Sequence, residues 1–226
     1  MKKIITLLGA VALSAVLALP LQANERKLLY RSFNKEAEPH IQVDETDIVF
    51  KETKEGAVII RTKQATSCLI RDEFVVDKDH SLLRWSRSCP EEGTDFVAEK
   101  QGDALMIKGE FLGKPVEKAL ALENKYLHIY PNYTLGRFAF SGAKTMKLWS
   151  IRRDELELLP MQARVEGEET ITIDGKKINV VKVYYSIVGK MREKFYNHRY
   201  YYRKSDGVYL KKIQQDGEIE VLVKEK

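Results

Sequence analysis

Leu105-Met106-Ile107-Lys108-Gly109-Glu110-Phe111 decides the fold. Leu105, Ile107 and Phe111 are apolar and alternate with Met106, Lys108 and Glu110. A period of two belongs to a strand with one buried and one solvated face. The run follows Gln101-Gly102-Asp103, whose turn chemistry closes a hairpin with the residues before it. The same grammar repeats outward in both directions, with turns at Glu55-Gly56, Asp174-Gly175, Asp206-Gly207 and Asp216-Gly217. Tight turns join antiparallel neighbours, whereas parallel strands need long crossovers. The chain therefore reads as mainly β, a single-domain antiparallel meander. Candidate strands begin at Lys27–Phe33 and end at Ile219–Val223. Between them lie, among others, Cys68–Val76, Ser81–Cys89, Tyr126–Tyr130, Thr145–Ile151, Leu156–Val165, Glu169–Ile173 and Lys177–Val188. One short helix is expected over Thr134–Ser141, where Leu135, Phe138 and Ala139 fall at i, i+3 and i+4. Thr134 is available there as a cap and Gly142 as a stop.

The N-terminus has a different grammar. Lys2 and Lys3 precede an apolar run from Ile4 to Leu19, and Pro20-Leu21-Gln22-Ala23 places a small residue before a polar sequence. This is the pattern of a secretory signal peptide at 1–23, cleaved near Ala23. The run is too short for a membrane span, which needs about 20 apolar residues, and no cysteine sits at the cut to accept lipid. Residues 24–226 are then expected to form one β-rich domain, periplasmic or secreted. A composition of 44% hydrophobic and 31% charged residues excludes a disordered chain. With 38 basic against 33 acidic residues and a formal charge of +5, the surface is mixed, which argues against a nucleic-acid partner.

Cys68 and Cys89 are the only cysteines, and export makes a disulfide between them the default. If Asp77-Lys78-Asp79-His80 forms a hairpin turn, Cys68 lies directly opposite Cys89, Glu73 opposite Arg84 and Phe74 opposite Leu83. One face then carries Cys68, Ile70, Phe74, Leu83, Trp85 and Cys89.

No catalytic constellation stands out. His40, His80, His128 and His198 form no metal-ligand spacing with one another or with the cysteines. There is no Gly-x-Ser-x-Gly elbow, Walker loop or dinucleotide fingerprint, so no cofactor or metal is expected. His80 beside Asp77 and Asp79 reads as turn chemistry. The distinctive composition is the C-terminal tyrosines. In Val181–Ile187 the face of Val181, Val183, Tyr185 and Ile187 is the drier, leaving Lys182, Tyr184 and Ser186 on the wetter side. His198, Tyr200 and Tyr202 share one face of their strand, and Arg199, Tyr201 and Arg203 the other. Amphipathic rings at a concavity suit a lipid or glycan, with hydroxyls fixing orientation. The candidate ligand-lining residues are Tyr184, Tyr200, Tyr202, His128 and Trp149.

The signal peptide, the meander, the helix Thr134-Leu135-Gly136-Arg137-Phe138-Ala139-Phe140, the hairpin over Glu169–Val183 and the closing Tyr201–Leu210 together resemble an uncharacterised family of exported proteobacterial β-sheet proteins. That family, a domain of unknown function, is similar in look to the periplasmic lipoprotein carriers LolA and LolB. The resemblance implies a strongly curved antiparallel sheet, an incomplete half-barrel whose open side is covered by helix or loops and whose concavity holds acyl chains. The expected function is non-enzymatic binding of an apolar or amphipathic envelope ligand. The competing expectations are an envelope structural or interaction protein that engages a protein or polysaccharide through a sheet edge or tyrosine-rich face, and an enzyme acting on envelope polymers.

Overall fold

The computed structural model describes residues 25–34, 42–64, 68–122, 126–128 and 130–226. The leader at 1–23, its cleavage point and His40 lie outside the described residues. Fourteen strands form one sheet. The first run is β1 (Glu25–Phe33), β2 (Gln42–Glu52), β3 (Gly56–Gln64), β4 (Leu69–Asp77), β5 (Leu82–Cys89), β6 (Thr94–Gln101), β7 (Ala104–Phe111) and β8 (Lys114–Ala121). The second is β9 (Thr145–Arg152), β10 (Glu157–Ile173), β11 (Lys176–Ile187), β12 (Asn197–Arg203), β13 (Tyr209–Gln214) and β14 (Ile219–Glu225). Within each run every strand pairs antiparallel with its sequence neighbour, and β1 pairs with β14. The two meanders thus join through the first and last strands, and the sheet's edges, β8 and β9, are consecutive along the chain.

The sheet curls but is not closed by a strand ladder. The chain between β8 and β9 crosses the gap instead. Leu127 O accepts from Leu82 N at 2.9 Å, His128 N donates to Trp149 O at 2.7 Å, and Trp149 N donates to Tyr126 O at 2.8 Å. The expected strand Tyr126–Tyr130 is therefore a connector with one parallel bridge, Leu127 to Trp149. The runs Leu156–Val165 and Glu169–Ile173 are one strand, β10, carried through a bulge between Val165 and Gly167. Gly167 adopts φ +135°, which lets the ladder resume rather than end.

The helix α1 (Pro131–Phe140) starts three residues earlier than its pattern suggested. Pro131 occupies the first turn, where its missing N–H costs nothing. Thr134 does not cap; its Oγ1 donates back to Tyr130 O at 3.1 Å. Leu135, Phe138 and Ala139 are buried as their spacing required, and Gly142 at φ +81° follows the helix end.

The disulfide joins Cys68 to Cys89, with Cα atoms 6.0 Å apart. The expected register is wrong by two, for two physical reasons. The turn includes Ser81: Asp77 N donates to Ser81 O, and the Asp77 carboxylate accepts from the N–H groups of Asp79 and Ser81. A bulge between Val75 and Val76 then adds the second residue, so Phe74 lies opposite Trp85, not Leu83. Leu82 fills the core and Leu83 is only half-buried. Cys68 reaches Cys89 from beyond the last paired residues, Arg71 and Ser88. The Glu73–Arg84 ion pair forms at 3.6 Å as a diagonal contact.

Candidate binding site

Three adjacent strands show how the lumen is built. Inward positions run Leu28, Tyr30, Ser32 on β1, Ile48, Thr46, Asp44 on β2, and Ala57, Ile59, Arg61, Lys63 on β3. They pair across the sheet as Leu28–Ile48–Arg61 and Tyr30–Thr46–Lys63. Each inward face is apolar at one end and polar or charged at the other. Alternation says which face is buried but not that its chemistry changes along the strand.

The middle of the lumen is filled by the protein's own rings. Tyr30 stacks on Tyr209 at 5.0 Å and its hydroxyl donates to Tyr209 O at 2.9 Å. Tyr130 lies between Phe74 and Tyr133, at 5.4 and 5.5 Å. Tyr202 donates to Pro131 O at 2.8 Å, tying β12 to the start of α1. Burial pushes the phenols of Tyr30, Tyr200, Tyr202 and Tyr209 well above the ordinary tyrosine value, so all are neutral donors. Among the described residues, these rings stand where a carrier would hold acyl chains. Inward aromatics from both meanders occupy that volume, leaving one recess at each end.

The recess on the helix side has a volume of about 780 Å³. Leu28, Phe50, Tyr133, Phe140 and Val208 give it an apolar floor, and Arg26, Arg137 and Lys204 lie among its lining residues. Arg26 pairs with Asp206 at 3.8 Å and Arg137 with Asp79 at 3.6 Å.

The opposite recess, about 720 Å³, has two unlike walls. Ile151, Leu159, Met161 and Ile187 of β9 to β11 give one side an apolar stretch, with the rings of Tyr185, Tyr196 and Tyr200 beside it and Ser150, Arg152, Arg153 and Asp154 also on the lining. Arg61, Lys63, Lys212 and Glu220 make the other. Arg61 pairs with Asp72 at 3.2 Å, and Asp72 also accepts from Trp85 Nε1 at 2.9 Å. Burial works against the Arg61 charge, but Tyr130, Asp72 and Glu220 outweigh it and hold the guanidinium above its usual value. Glu220 accepts from the Tyr209 hydroxyl at 2.6 Å and from Asn132 Nδ2 at 2.7 Å. Burial would raise its carboxyl, yet Lys212, the Tyr209 hydrogen bond, Arg61 and Lys63 bring it below the ordinary glutamate value. Two buried polar atoms of residues lining this recess, Arg61 Nε and His198 Nδ1, have no hydrogen-bond partner among the described residues. Such atoms are costly unless a water or ligand meets them.

The structure separates the five residues singled out from sequence. Tyr200 lines the two-walled recess. Tyr202 is wholly buried in the central plug. Tyr184 is on the outer face, its ring 4.9 Å from the Arg164 guanidinium and 5.6 Å from that of Arg199. Its place opposite Arg199 removes it from the lumen, but the side expected to be wetter is covered, since Tyr184 and Ser186 are both buried. His128 is buried in the connector, 4.4 Å from the Tyr126 ring, with neither nitrogen hydrogen-bonded among the described residues. Burial first, then His80 nearby, pushes its pKa down to about 3. Trp149 is half-buried on β9, packed against the core. Sequence reasoning missed Arg61, Lys63, His198 and Lys212. The available signal was the inward face of β3, where the apolar pair Ala57 and Ile59 gives way to two cations in the same phase.

Among the described residues, no helix is long and apolar enough to cross a membrane. The one grouping with metal-ligand proximity, Cys68, Cys89 and Glu91, has both sulfurs in the disulfide. No family model matches the sequence, and no curated protein matches it. Among solved structures, PNGF-II in a C2 crystal aligns with a TM-score of 0.37 at 9% identity, covering 89% of this chain and 27% of that one, too low to argue from. The chain is similar in fold, with a TM-score of 0.60 at 11% identity over 89% of its length and 97% of the other's, to a β-barrel-like protein of the domain of unknown function DUF1849 from Brucella abortus.

Proposed function

We propose that the protein is a non-catalytic binding protein of the cell envelope, exported by the leader at 1–23, which holds an amphiphile in the two-walled recess. The carrying observation is the recess itself. Its volume of about 720 Å³ falls within the range of small-molecule sites. Its apolar side chains suit a hydrocarbon segment, and Arg61, Lys63 and Lys212 on its lining suit an anionic head. This replaces a chain enclosed in the lumen with a ligand seated at one mouth. Partner binding at a sheet edge has less support. The edge strand β8 carries Pro115, the exposed Lys114 and the half-buried Lys118, which discourage strand addition.

Titration with a fluorescent fatty-acid analogue tests the reading. Binding should saturate and raise the melting temperature by mass action. Ile187→Asp, a charge placed at the mouth of the apolar wall, should weaken binding at least tenfold. Tyr184→Ala, on the outer face, should leave it unchanged. Equal affinity in all three proteins, or no saturable binding, overturns the proposal.

A further inference from the structure

Among the described residues, the two most exposed large apolar side chains lie in the β11–β12 connection. It contains the short helix α2 (Lys190–Glu193), and Met191 and Phe195 are each 79% exposed. The helical turn continues past α2, since Phe195 N and Tyr196 N both donate to Arg192 O. Four residues apart on that turn, Met191 and Phe195 share one side. Exposed rings and thioethers on a soluble surface need a reason when they cluster. Val188 and Tyr196 add 37% and 45% exposure to the same tip.

Charge is sorted around this patch. Arg192 and Lys194 are exposed, whereas the one acidic residue of the turn, Glu193, is half-buried and near enough to Tyr184 to help burial raise the pKa of its hydroxyl. The accessible part of the tip is thus apolar and cationic, with its carboxylate turned away. We propose that this tip docks the protein on an anionic lipid bilayer, with Met191 and Phe195 entering the interface and Arg192 and Lys194 facing the headgroups. The geometry favours a membrane over a protein partner. A stable protein interface buries about 800 Å² on each side, far more than one hairpin tip offers. An interfacial anchor needs only a few apolar side chains flanked by cations. Tyr196 and Ile187, at the base of the tip, also line the two-walled recess, so docking would bring that mouth to the bilayer. The proposal goes beyond the ligand-binding reading and stands without it.

Flotation of the exported protein, purified from the envelope, with phosphatidylcholine vesicles and with vesicles containing one quarter phosphatidylglycerol tests it. Binding should favour the anionic vesicles and weaken as salt rises. Arg192→Glu with Lys194→Glu should abolish the anionic preference, each cation contributing about fivefold. Met191→Ser with Phe195→Ser should lower binding at least tenfold while the melting temperature stays unchanged, since both side chains are exposed. In a Phe195→Trp variant the added indole should be quenched by brominated acyl chains. Equal binding to both vesicle types, binding unaffected by either double variant, or an unquenched indole overturns membrane docking. Loss of fatty-acid binding in Ile187→Asp with vesicle flotation intact would separate the two sites.

Discussion

The two ends of the lumen are lined by the same strands and held by different forces. At the helix side, Leu28, Ile48, Ala57, Val76 and Leu82 are all buried, in the same core cluster as Leu135 and Phe138 of α1. At the other end the inward positions of β1 to β4 are Ser32, Asp44, Lys63 and Asp72, and the small apolar cluster of Cys68, Ile70 and Cys89 stands apart from the main core. Burial of apolar surface stabilises at about 25 cal/mol per Å², so along β1 to β5 the helix-side positions contribute more than the polar positions at the other end. The recess end has less of this and carries a covalent staple, worth about 3 kcal/mol by the chain-entropy account. Buried ion pairs roughly break even against apolar packing of the same volume. Keeping Arg61, Asp72 and Lys63 there brings little stability, which is why that end is the better candidate for function.

The largest effect should come from breaking the polar end at its centre. Asp72 is fully buried and serves Arg61 at 3.2 Å, Arg87 at 3.9 Å and Trp85 Nε1. Asp72→Ala leaves two guanidiniums, both largely buried, without their carboxylate. A loss of about 3 to 5 kcal/mol in urea denaturation is expected. Pairing the change with Arg61→Met should recover most of it. If the double variant is as unstable as the single one, the network does not behave as a self-cancelling ion pair and the contrast between the ends is weaker than drawn.

A smaller effect separates sealed from open polar groups. His128 in the connector and His198 in the recess are both held neutral by burial, their pKa values pushed down to about 3 and about 4. Unfolded histidine titrates near 6.5. As pH falls below that value the unfolded chain takes up protons that the folded one refuses, so stability is full above about 6.5 and declines towards the folded values. Between pH 6.5 and 5 each histidine should cost about 2 kcal/mol. In His128→Leu that share of the decline should vanish, with stability at pH 7 equal or higher because two unpartnered nitrogens are gone. An unchanged slope across pH 7 to 5 would mean that His128 is protonated or hydrated in the folded protein.

How much of this was legible follows from what each signal measures. Period-two alternation and Asp-Gly turns depend on neighbours within one hairpin, and they located the meander, the helix face and the disulfide pair. Register depends on whether a turn takes one more residue and whether a bulge intervenes. Nothing in Asp77–Ser81 or at Val75 states that in advance, so Phe74 was set against Leu83 rather than Trp85. The site depends on what faces what across the lumen. Tyr200 and Tyr184 belong to one tyrosine-rich stretch but to opposite faces, and only the curl of the sheet puts Lys63 of β3 and Lys212 of β13 around one recess with Tyr200. The change from Ile59 to Arg61 on one face was readable, but without the curl it resembled a strand emerging into solvent.

The smallest effect tests whether the helix side is as tightly fitted as its burial suggests. Gly136 lies inside α1, where glycine costs about 1 kcal/mol against alanine. A methyl group there would meet Gly207 O at 3.1 Å and the Tyr202 ring at 3.5 Å. Gly207 is in the β12–β13 turn with φ +72°, and the Phe140 ring lies against it. Gly136→Ala gains helix propensity and loses clearance, and the turn must move by a few tenths of an ångström to admit it. Exposed turns yield readily, so the net change should stay within about 1 kcal/mol of zero. A loss well above 2 kcal/mol would show that α1, Tyr202 and the turn form one rigid unit. Rigidity of that kind would confine ligand adaptation to the recess end, where the walls are held by side-chain pairs rather than by close-packed backbone.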